Sequence, residues 1–448
     1  MIRTLALALA PAYLALVTLP FAAPPVSAEN RIDMQRPDAP ELAAYGDLPV
    51  GVSTMRFTNP GQIDVAGMEA EWTEGATRPD PLKTVDRELV VEIFYPAADG
   101  ATGATTHQAA MRDGTVVELT GRSMRDAAPR KGETYPLVMI SHGYPGNRFL
   151  LSHLAENLAS KGYVVASIDH PDSIYRDLGA FGDTLRNRPI DQLFVLQSIA
   201  DETGKDGSFL NGLVDADNAG LIGYSMGGYG ALIASGAGIT EGGSKFPFTN
   251  NLALADVHIQ GSDTQLKPDA RIKTIVLFGP WGRNRGFWDE GGLSQVTIPT
   301  LLIAGGQDDV SGYDIGVRKI WEEMKGTDRA LLTFEGANHN AGAPMPAPRE
   351  AVEKAAASGE MAPWDHYGDA VWDNVRMNNV AQHFVTSWLD RHIKNEEAKA
   401  DYLDLVPDAE EAVFAVTDGK EDPTHTYWKG FPARTAKGLR FERLKAGE

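Results

Sequence analysis

Cysteine is absent from the 448-residue chain. Its absence excludes disulfide bonds, cysteine-based metal sites, acylation of a lipobox cysteine and a thiol nucleophile. Basic residues are also few: 41 Lys and Arg stand against 61 Asp and Glu, which gives a formal net charge of −20. Because non-specific nucleic-acid binding needs a basic surface, we expect no nucleic-acid partner.

Long hydrophobic runs are confined to the N-terminus. Arg3 precedes an almost wholly apolar stretch at 4–22, and residues 26–28 read Val-Ser-Ala, a small-residue cleavage site before Glu29. The segment also contains four prolines, Pro11, Pro20, Pro24 and Pro25. Since proline weakens a membrane-spanning helix, we favour a cleaved signal peptide at 1–28 over an uncleaved anchor. We then expect an exported protein, periplasmic or extracellular, without stable membrane insertion.

The rest of the chain has the composition of a globular protein, with 43% hydrophobic and 23% charged residues. Residues 29–88 are punctuated by Pro and Gly, and we expect an N-terminal arm on the domain surface. A single α/β domain is predicted at 89–394. Insertions at about 236–271 and 342–365 are predicted to overhang its strand ends as a partial lid. A charged C-terminal tail follows at 395–448.

Short apolar strands alternate with helices through the predicted domain. The strands are predicted at 89–96, 135–140, 163–168, 221–223, Ile272–Phe278, 300–304 and 330–334, with a further strand pair around 115–119. The helices are predicted at 149–161, 189–202, Met226–Ala234 and 374–394. This alternation predicts a mostly parallel sheet covered by helices on both faces, with the active site at the carboxyl ends of the strands.

A nucleophile motif follows one of these strands. Residues 223–227 read Gly-Tyr-Ser-Met-Gly, which matches G-x-S-x-G between a strand and a helix. In that context the serine occupies a strained turn, and the flanking glycines remove Cβ atoms that would collide. A chance Gly/Ser turn is the alternative, but the strand before the motif and the helix after it favour Ser225 as a nucleophile.

The expected acid and base follow in the chain order of this architecture, Ser, then Asp or Glu, then His. Asp308 and Asp309 lie just beyond the strand at 300–304. The G-x-x-D spacing favours Asp308 as the orienting acid, although an aspartate next to glycines can also bind its own backbone. His339 lies on a small-residue loop after the strand at 330–334, where a histidine can reach the serine.

The other histidines fit that position less well. His366 and His383 lie farther downstream, and His383 falls inside a predicted helix. His258 falls in the first insertion, ahead of the acid. His170 follows a strand but precedes the serine, so we interpret it as a supporting or structural residue.

An oxyanion hole requires two backbone N–H groups aimed at the developing negative charge. We predict that Met226, at the start of the helix, and Tyr144, on the loop after the strand at 135–140, supply them. Tyr144 and Trp281 are also predicted to form aromatic walls of the acyl cleft, although Trp281 can equally fill the core. No metal or organic cofactor is expected, and Asp215-Ala216-Asp217 is interpreted as an exposed loop.

From about residue 89 to 394 the chain resembles the α/β-hydrolase superfamily. The resemblance is carried by 141–148, 223–229, 304–309 and 336–340, and within the superfamily it is similar to dienelactone-hydrolase-like proteins, platelet-activating-factor acetylhydrolases and cutinase-like polyester hydrolases. Cutinase-like enzymes also have an aromatic after the oxyanion-loop glycine, a Pro-Trp pair after the sixth strand and an S-M-G-G motif. These features match Tyr144, residues 280–281 and residues 225–228.

The resemblance implies hydrolysis of a small-molecule carboxylic ester, small, lipid-like or aromatic, by a Ser-His-Asp mechanism. Dienelactone hydrolases use a cysteine nucleophile, which this chain lacks. Cutinase-like enzymes lack insertions comparable to those predicted here. Two alternatives stay open at this point: a serine peptidase on the same fold, and a non-catalytic binding module.

Overall fold

The computed structural model describes five stretches of the chain, 29–70, 81–179, 181–246, 257–356 and 361–448. The predicted signal peptide at 1–28 lies outside the described residues. Within these stretches, no helix combines the length and the apolar character needed to cross a bilayer.

Ten strands of the described chain form one large sheet. They are β1 (Val50–Ile63), β2 (Thr84–Pro96), β3 (Met124–Arg125), β4 (Tyr135–Ser141), β5 (Val164–Asp169), β6 (Val214–Tyr224), β7 (Ile272–Phe278), β8 (Thr300–Gly305), β9 (Arg329–Phe334) and β10 (Leu439–Leu444). Their order across the sheet is β10-β9-β8-β7-β6-β4-β5-β2-β1-β3.

The six strands from β4 to β9 run parallel to one another. Nearly all of their side chains are buried, which is why their sequences read as continuous apolar runs. Antiparallel pairs flank this parallel centre, β2 with β5 on one side and β10 with β9 on the other. The predicted mostly parallel sheet is therefore confirmed.

Four longer helices cover the two faces: α1 (Ser152–Ser160), α2 (Phe181–Thr203), α3 (Met226–Ala234) and α4 (Asn374–His392). Side chains of α1 and α4 belong to one buried apolar cluster. Side chains of α2 and α3 belong to a second cluster, on the opposite face of the sheet. The sheet is thus enclosed between two apolar layers, as the alternating pattern predicts.

The helix α2 begins eight residues before the predicted start at Pro189. A proline inside a helix cannot donate to the carbonyl four residues earlier. Here that carbonyl belongs to Leu185, and it accepts a hydrogen bond from the Tyr229 hydroxyl at 3.1 Å. Because Tyr229 satisfies the carbonyl from α3, the helix continues through the proline.

Shorter elements complete the described chain. Short helical segments lie at Glu41–Ala43, Val65–Ala70, Glu241–Ser244, Arg283–Arg285, Glu290–Leu293, Tyr313–Val317, Arg318–Glu323, Arg349–Glu353, Pro363–His366 and Glu397–Tyr402. Two small strand pairs are formed by Ser173–Ile174 with Asp177–Leu178 and by Val416–Thr417 with Lys420–Glu421. A three-stranded sheet has Val116–Thr120 in the centre, between Asn30–Arg31 and Thr106–Ala110. The strand pair predicted around 115–119 is confirmed.

The interpretation of 29–88 as an N-terminal arm on the domain surface missed β1. This strand of 14 residues pairs with β2 over most of its length. Pro60 and Gly61 resemble a turn in the sequence, and the structure accommodates them in a register shift between Asn59 and Gln62.

The segment 395–448 likewise contains β10, which the sequence interpretation missed. In β10, buried Leu439 and Phe441 alternate with charged residues, and the charges obscure the short apolar pattern. Trp428 and Phe431, also in this segment, are buried in the cluster that contains α1 and α4. The C-terminal segment is thus part of the domain.

Candidate active site

Ser225 lies on the sharp turn between β6 and α3. Its backbone has φ 54° and ψ −110°, a conformation that few non-glycine residues adopt. The turn is closed by hydrogen bonds from the Ser225 N–H to the Phe278 carbonyl at 2.8 Å and from the Tyr229 N–H to the Ser225 carbonyl at 3.0 Å. A Cβ on Gly223 would lie 2.4 Å from the Gly227 backbone, so glycine is required there.

His339 and Asp308 lie on the loops that follow β9 and β8. The His339 Nδ1 is 2.9 Å from the Asp308 Oδ2. The other carboxylate oxygen of Asp308 accepts the backbone N–H groups of Val310 at 3.0 Å and Ser311 at 2.8 Å. These two N–H groups fix the orientation of the carboxylate. The neighbouring Asp309 is exposed and, within the described stretches, makes no side-chain hydrogen bond or ion pair.

One cavity of about 460 Å³ opens between these loops. Ser225, His339 and Tyr144 all line it, with Asp308 behind His339. Four of its lining residues come from the end of the second predicted insertion or just beyond it: Met361, Trp364, Asp365 and His366. The described part of the first insertion contributes none of the lining residues.

The loop after β4 passes close to the serine. A Cβ on Gly143 would lie 3.3 Å from the Ser225 Cβ, so a larger residue at this position would crowd the serine. The backbone N–H groups of Tyr144 and Met226 donate to no other group in the described parts of the chain. Unpaired N–H groups on both sides of a serine can stabilise an oxyanion that forms there.

A solved structure shares this architecture. The match is to a ferulic acid esterase from Streptomyces cinnamoneus, with a TM-score of 0.52, 20% sequence identity, and coverage of 90% of this chain and 99% of that one. Together with the strand order, this match decides the fold. The chain has the α/β-hydrolase fold.

Sequence comparisons add similar proteins. The family model described as platelet-activating factor acetylhydrolase, isoform II, matches residues 101–179. Cutinase est2 of Thermobifida alba is 27% identical over 218 residues, which cover 47% of this chain and 55% of that protein. A bis(hydroxyethyl) terephthalate hydrolase of Streptomyces coelicolor is 24% identical over 213 residues, covering 46% of this chain and 51% of that protein. The chain thus spans little more than half the length of these relatives.

Trp281 lies apart from this cavity. It is 9% exposed and belongs to an aromatic cluster, with ring centroids 5.3 to 6.2 Å from those of Phe287, Phe181, Phe246 and Tyr229. The described residues that line the cavity do not include Trp281. Its role as a wall of the acyl cleft stays a prediction, and its packing favours the core alternative.

Replacing Trp281 with alanine is therefore expected to lower the free energy of unfolding by about 3–5 kcal/mol, the usual cost of removing a large buried aromatic side chain. The ratio of KM for octanoate and acetate esters should stay unchanged. Thermal unfolding combined with KM across acyl lengths measures both quantities. If KM rises for octanoate alone and stability is unchanged, Trp281 would be assigned to the wall of the acyl cleft. Tyr144→Ala is the matched comparison, since Tyr144 lines the cavity.

His170 and His366 are both buried. His170 is buried, with Nε2 2.8 Å from the Ser141 hydroxyl and Nδ1 2.9 Å from Asp191. His366 lines the cavity, but burial, with a smaller contribution from Arg112, lowers the pKa of its imidazole to about 3. His366 therefore stays neutral near pH 7.

The sequence interpretation missed residues that hold the His339 loop. The Tyr224 hydroxyl donates to the Asn340 Oδ1 at 2.9 Å, and the Tyr224 ring lies 5.3 Å from the His339 ring. The Asn340 amide donates to the carbonyls of Asp365 at 2.8 Å and Gly368 at 2.7 Å. Their positions beside Ser225 and His339 were the available signal, because residues next to catalytic groups often orient them.

The described residues contain no cluster of three His, Asp or Glu side chains arranged for a metal ion. The interpretation of Asp215-Ala216-Asp217 as an exposed loop was wrong, because these residues begin β6 and Ala216 is buried. The Asp217 N–H donates to the Asp215 Oδ1 at 3.2 Å within this strand.

Proposed function

We propose that this protein is a serine hydrolase that cleaves carboxylic esters, with Ser225 as nucleophile, His339 as general base and Asp308 as orienting acid. The observation that carries the proposal is the hydrogen bond between His339 and Asp308 beside a cavity that His339 shares with Ser225. The similarity to cutinases and to a terephthalate hydrolase, both named for ester cleavage, supports the same reaction.

The reaction is acyl transfer to water. His339 takes the proton of the Ser225 hydroxyl as its oxygen attacks the ester carbonyl, and then gives that proton to the departing alcohol. Asp308 holds Nδ1 protonated and stabilises the imidazolium. The N–H groups of Tyr144 and Met226 bind the oxyanion of each tetrahedral intermediate. A water activated by His339 then attacks the acyl-enzyme and regenerates Ser225.

The substrate is an ester with an apolar acyl or alcohol group. Val310 and Met361 line the cavity although 41% and 56% of their respective surfaces are exposed. Val371, which is 71% exposed, follows the lining residue Ala370. This apolar rim favours lipid-like or aromatic esters.

A fluorophosphonate probe tests the assignment as an enzyme. Because an activated serine attacks the probe, one adduct should form on Ser225, located by intact mass and peptide mapping. Hydrolysis of p-nitrophenyl esters across acyl lengths, beside a peptide panel, then identifies the reaction. Absence of an adduct would favour a non-catalytic module, and faster cleavage of peptides would favour a peptidase.

Export is part of the proposal, with cleavage after Ala28. The same intact-mass spectrum, taken on protein secreted by a bacterial host, should show a chain that begins at Glu29 plus the probe. A mass that still includes 1–28 would contradict the cleaved signal peptide.

A further inference from the structure

The peptide group that joins Gly143 and Tyr144 is held by a buried histidine. His142 is 1% exposed, and its Nδ1 is 2.7 Å from the Gly143 carbonyl oxygen. A carbonyl oxygen only accepts, so the Nδ1 carries the proton. The Nε2 in turn accepts the backbone N–H of His170 at 3.3 Å. These two contacts select one neutral tautomer of His142.

Burial, followed by the nearby Arg188 and His170, holds the pKa of His142 well below its usual range. The imidazole is therefore neutral at any pH at which an esterase is normally assayed. A neutral imidazole with Nδ1 protonated is the form that both contacts require. Titration of His142 thus does not interrupt the hydrogen bond to Gly143.

The Gly143 carbonyl and the Tyr144 N–H are the two ends of one planar peptide group. A hydrogen bond to the carbonyl fixes the plane in which the N–H points and also polarises that N–H. We propose that His142 is a positioning residue for the oxyanion hole: its imidazole orients and polarises the Tyr144 N–H toward the reacting carbonyl. This inference rests on the proposed function, in which that N–H binds the oxyanion.

A side chain of the helix α2 holds the backbone of His142. The Arg188 guanidinium, 1% exposed, donates to the His142 carbonyl and, at 2.7 Å, to the Ser173 hydroxyl. One turn later, the Gln192 amide donates to the Gly227 carbonyl at 3.0 Å, in the first turn of α3. That turn begins with Met226, the other predicted oxyanion donor. One helix thus holds both loops that present N–H groups to the serine.

A second buried contact stabilises the residue that pairs with His142. His170 is bound through Nδ1 to Asp191, which accepts two hydrogen bonds from the Arg87 guanidinium at 2.9 and 3.1 Å. Asp191 also lies on α2. A chain of buried, hydrogen-bonded polar groups therefore runs from α2 to the oxyanion loop, and hydrogen bonds in such a buried network restrict the motion of its members.

The test compares His142→Leu with His142→Asn. Leucine removes the donor to Gly143, while the asparagine amide places a donor close to where Nδ1 lies. We expect His142→Leu to lower kcat about 10- to 100-fold, less than the roughly 10²–10³ lost when an oxyanion donor itself is removed. KM should change less than about twofold, because the ground-state ester does not need this N–H. His142→Asn should recover most of kcat.

Affinity for a boronic acid separates positioning from a merely structural role. The boronate forms a tetrahedral adduct on the serine that mimics the transition state. Its Kd should rise in His142→Leu by about the factor that kcat/KM loses, while the Kd of a product carboxylic acid stays unchanged. His153→Leu is the matched control. It is another buried histidine, on α1, and neither of its ring nitrogens is hydrogen-bonded to any residue that the structure describes. Its replacement should leave kcat and the boronate Kd unchanged.

Unchanged kcat in His142→Leu, or a lower kcat with an unchanged boronate Kd, would overturn the inference. Should the leucine variant fail to fold, His142→Asn is compared with His142→Gln, which moves the amide donor toward the Nε2 position. Equal activity of these two variants would also overturn it. Failure of the proposed function has a different signature, since the wild-type protein would then bind no boronate and keep its activity without Ser225.

Discussion

Replacing Ser225 with alanine is expected to lower kcat for a p-nitrophenyl ester by about 10⁴- to 10⁶-fold, as removal of a triad serine does in other hydrolases. The alanine keeps the Cβ of Ser225 and therefore its strained turn, whose hydrogen bonds involve only backbone atoms. Binding and the oxyanion hole remain, so some activity above the uncatalysed rate should survive. The melting temperature should stay close to that of the wild type.

Ser235→Ala provides the matched control. Ser235 is also buried, directly follows the same helix α3, and its hydroxyl has no partner among the described residues. It should keep wild-type kcat. A Ser225→Ala protein that retained a tenth of wild-type activity would remove Ser225 from the mechanism, provided that trace wild-type enzyme is excluded by titration with the fluorophosphonate.

Asp308→Asn is expected to lower kcat by roughly 10⁴-fold, the loss seen for the corresponding change in a well-studied serine protease. The asparagine can no longer hold His339 with Nδ1 protonated, and it removes the negative charge that stabilises the imidazolium. Its amide oxygen can still accept the N–H groups of Val310 and Ser311, so the loop should keep its conformation. Steady-state kinetics with thermal unfolding measures both effects.

Asp309→Asn is the matched control for Asp308→Asn. Asp309 is adjacent in sequence and has the same chemistry, yet it faces the cavity and does not bind His339. Its replacement should change kcat less than about threefold, the range expected for an exposed charge. The opposite ranking of the two variants would assign the orienting acid to Asp309.

Much of the sheet could be predicted because its central strands are buried on both faces, which makes each one a short apolar run. The positions of Ser225, Asp308 and His339 could be predicted for a related reason, since residues just after parallel strands share one edge of the sheet. Their catalytic roles stay predictions until the variants are measured.

β1 and the first turns of α2 were missed because their local sequence indicates a turn or a helix break, whereas contacts with distant residues allow a strand and a helix. β1 contains Pro60 and Gly61, which signal a turn until a register shift in the strand pair absorbs them. The first turns of α2 were missed because only a distant side chain, Tyr229, satisfies the carbonyl that Pro189 leaves unpaired. Trp281 follows a strand, as site residues do. The rings of Phe181 and Phe246 that pack against it are distant in sequence, so the local sequence pattern does not show that Trp281 is enclosed.

The Asn340 amide limits how the proposed hydrolase can change its specificity over evolutionary time. Its two hydrogen bonds join the loop of His339 to the backbone at Asp365 and Gly368, which also form the cavity wall. Substitution of Met361, which is 56% exposed, can therefore reshape the wall at little cost to the reaction. Insertions or deletions between Asp365 and Gly368 would displace the base together with the wall, and so would loss of the Trp364 ring, which packs against Gly368. New substrates should thus be acquired mainly by substitution at Met361.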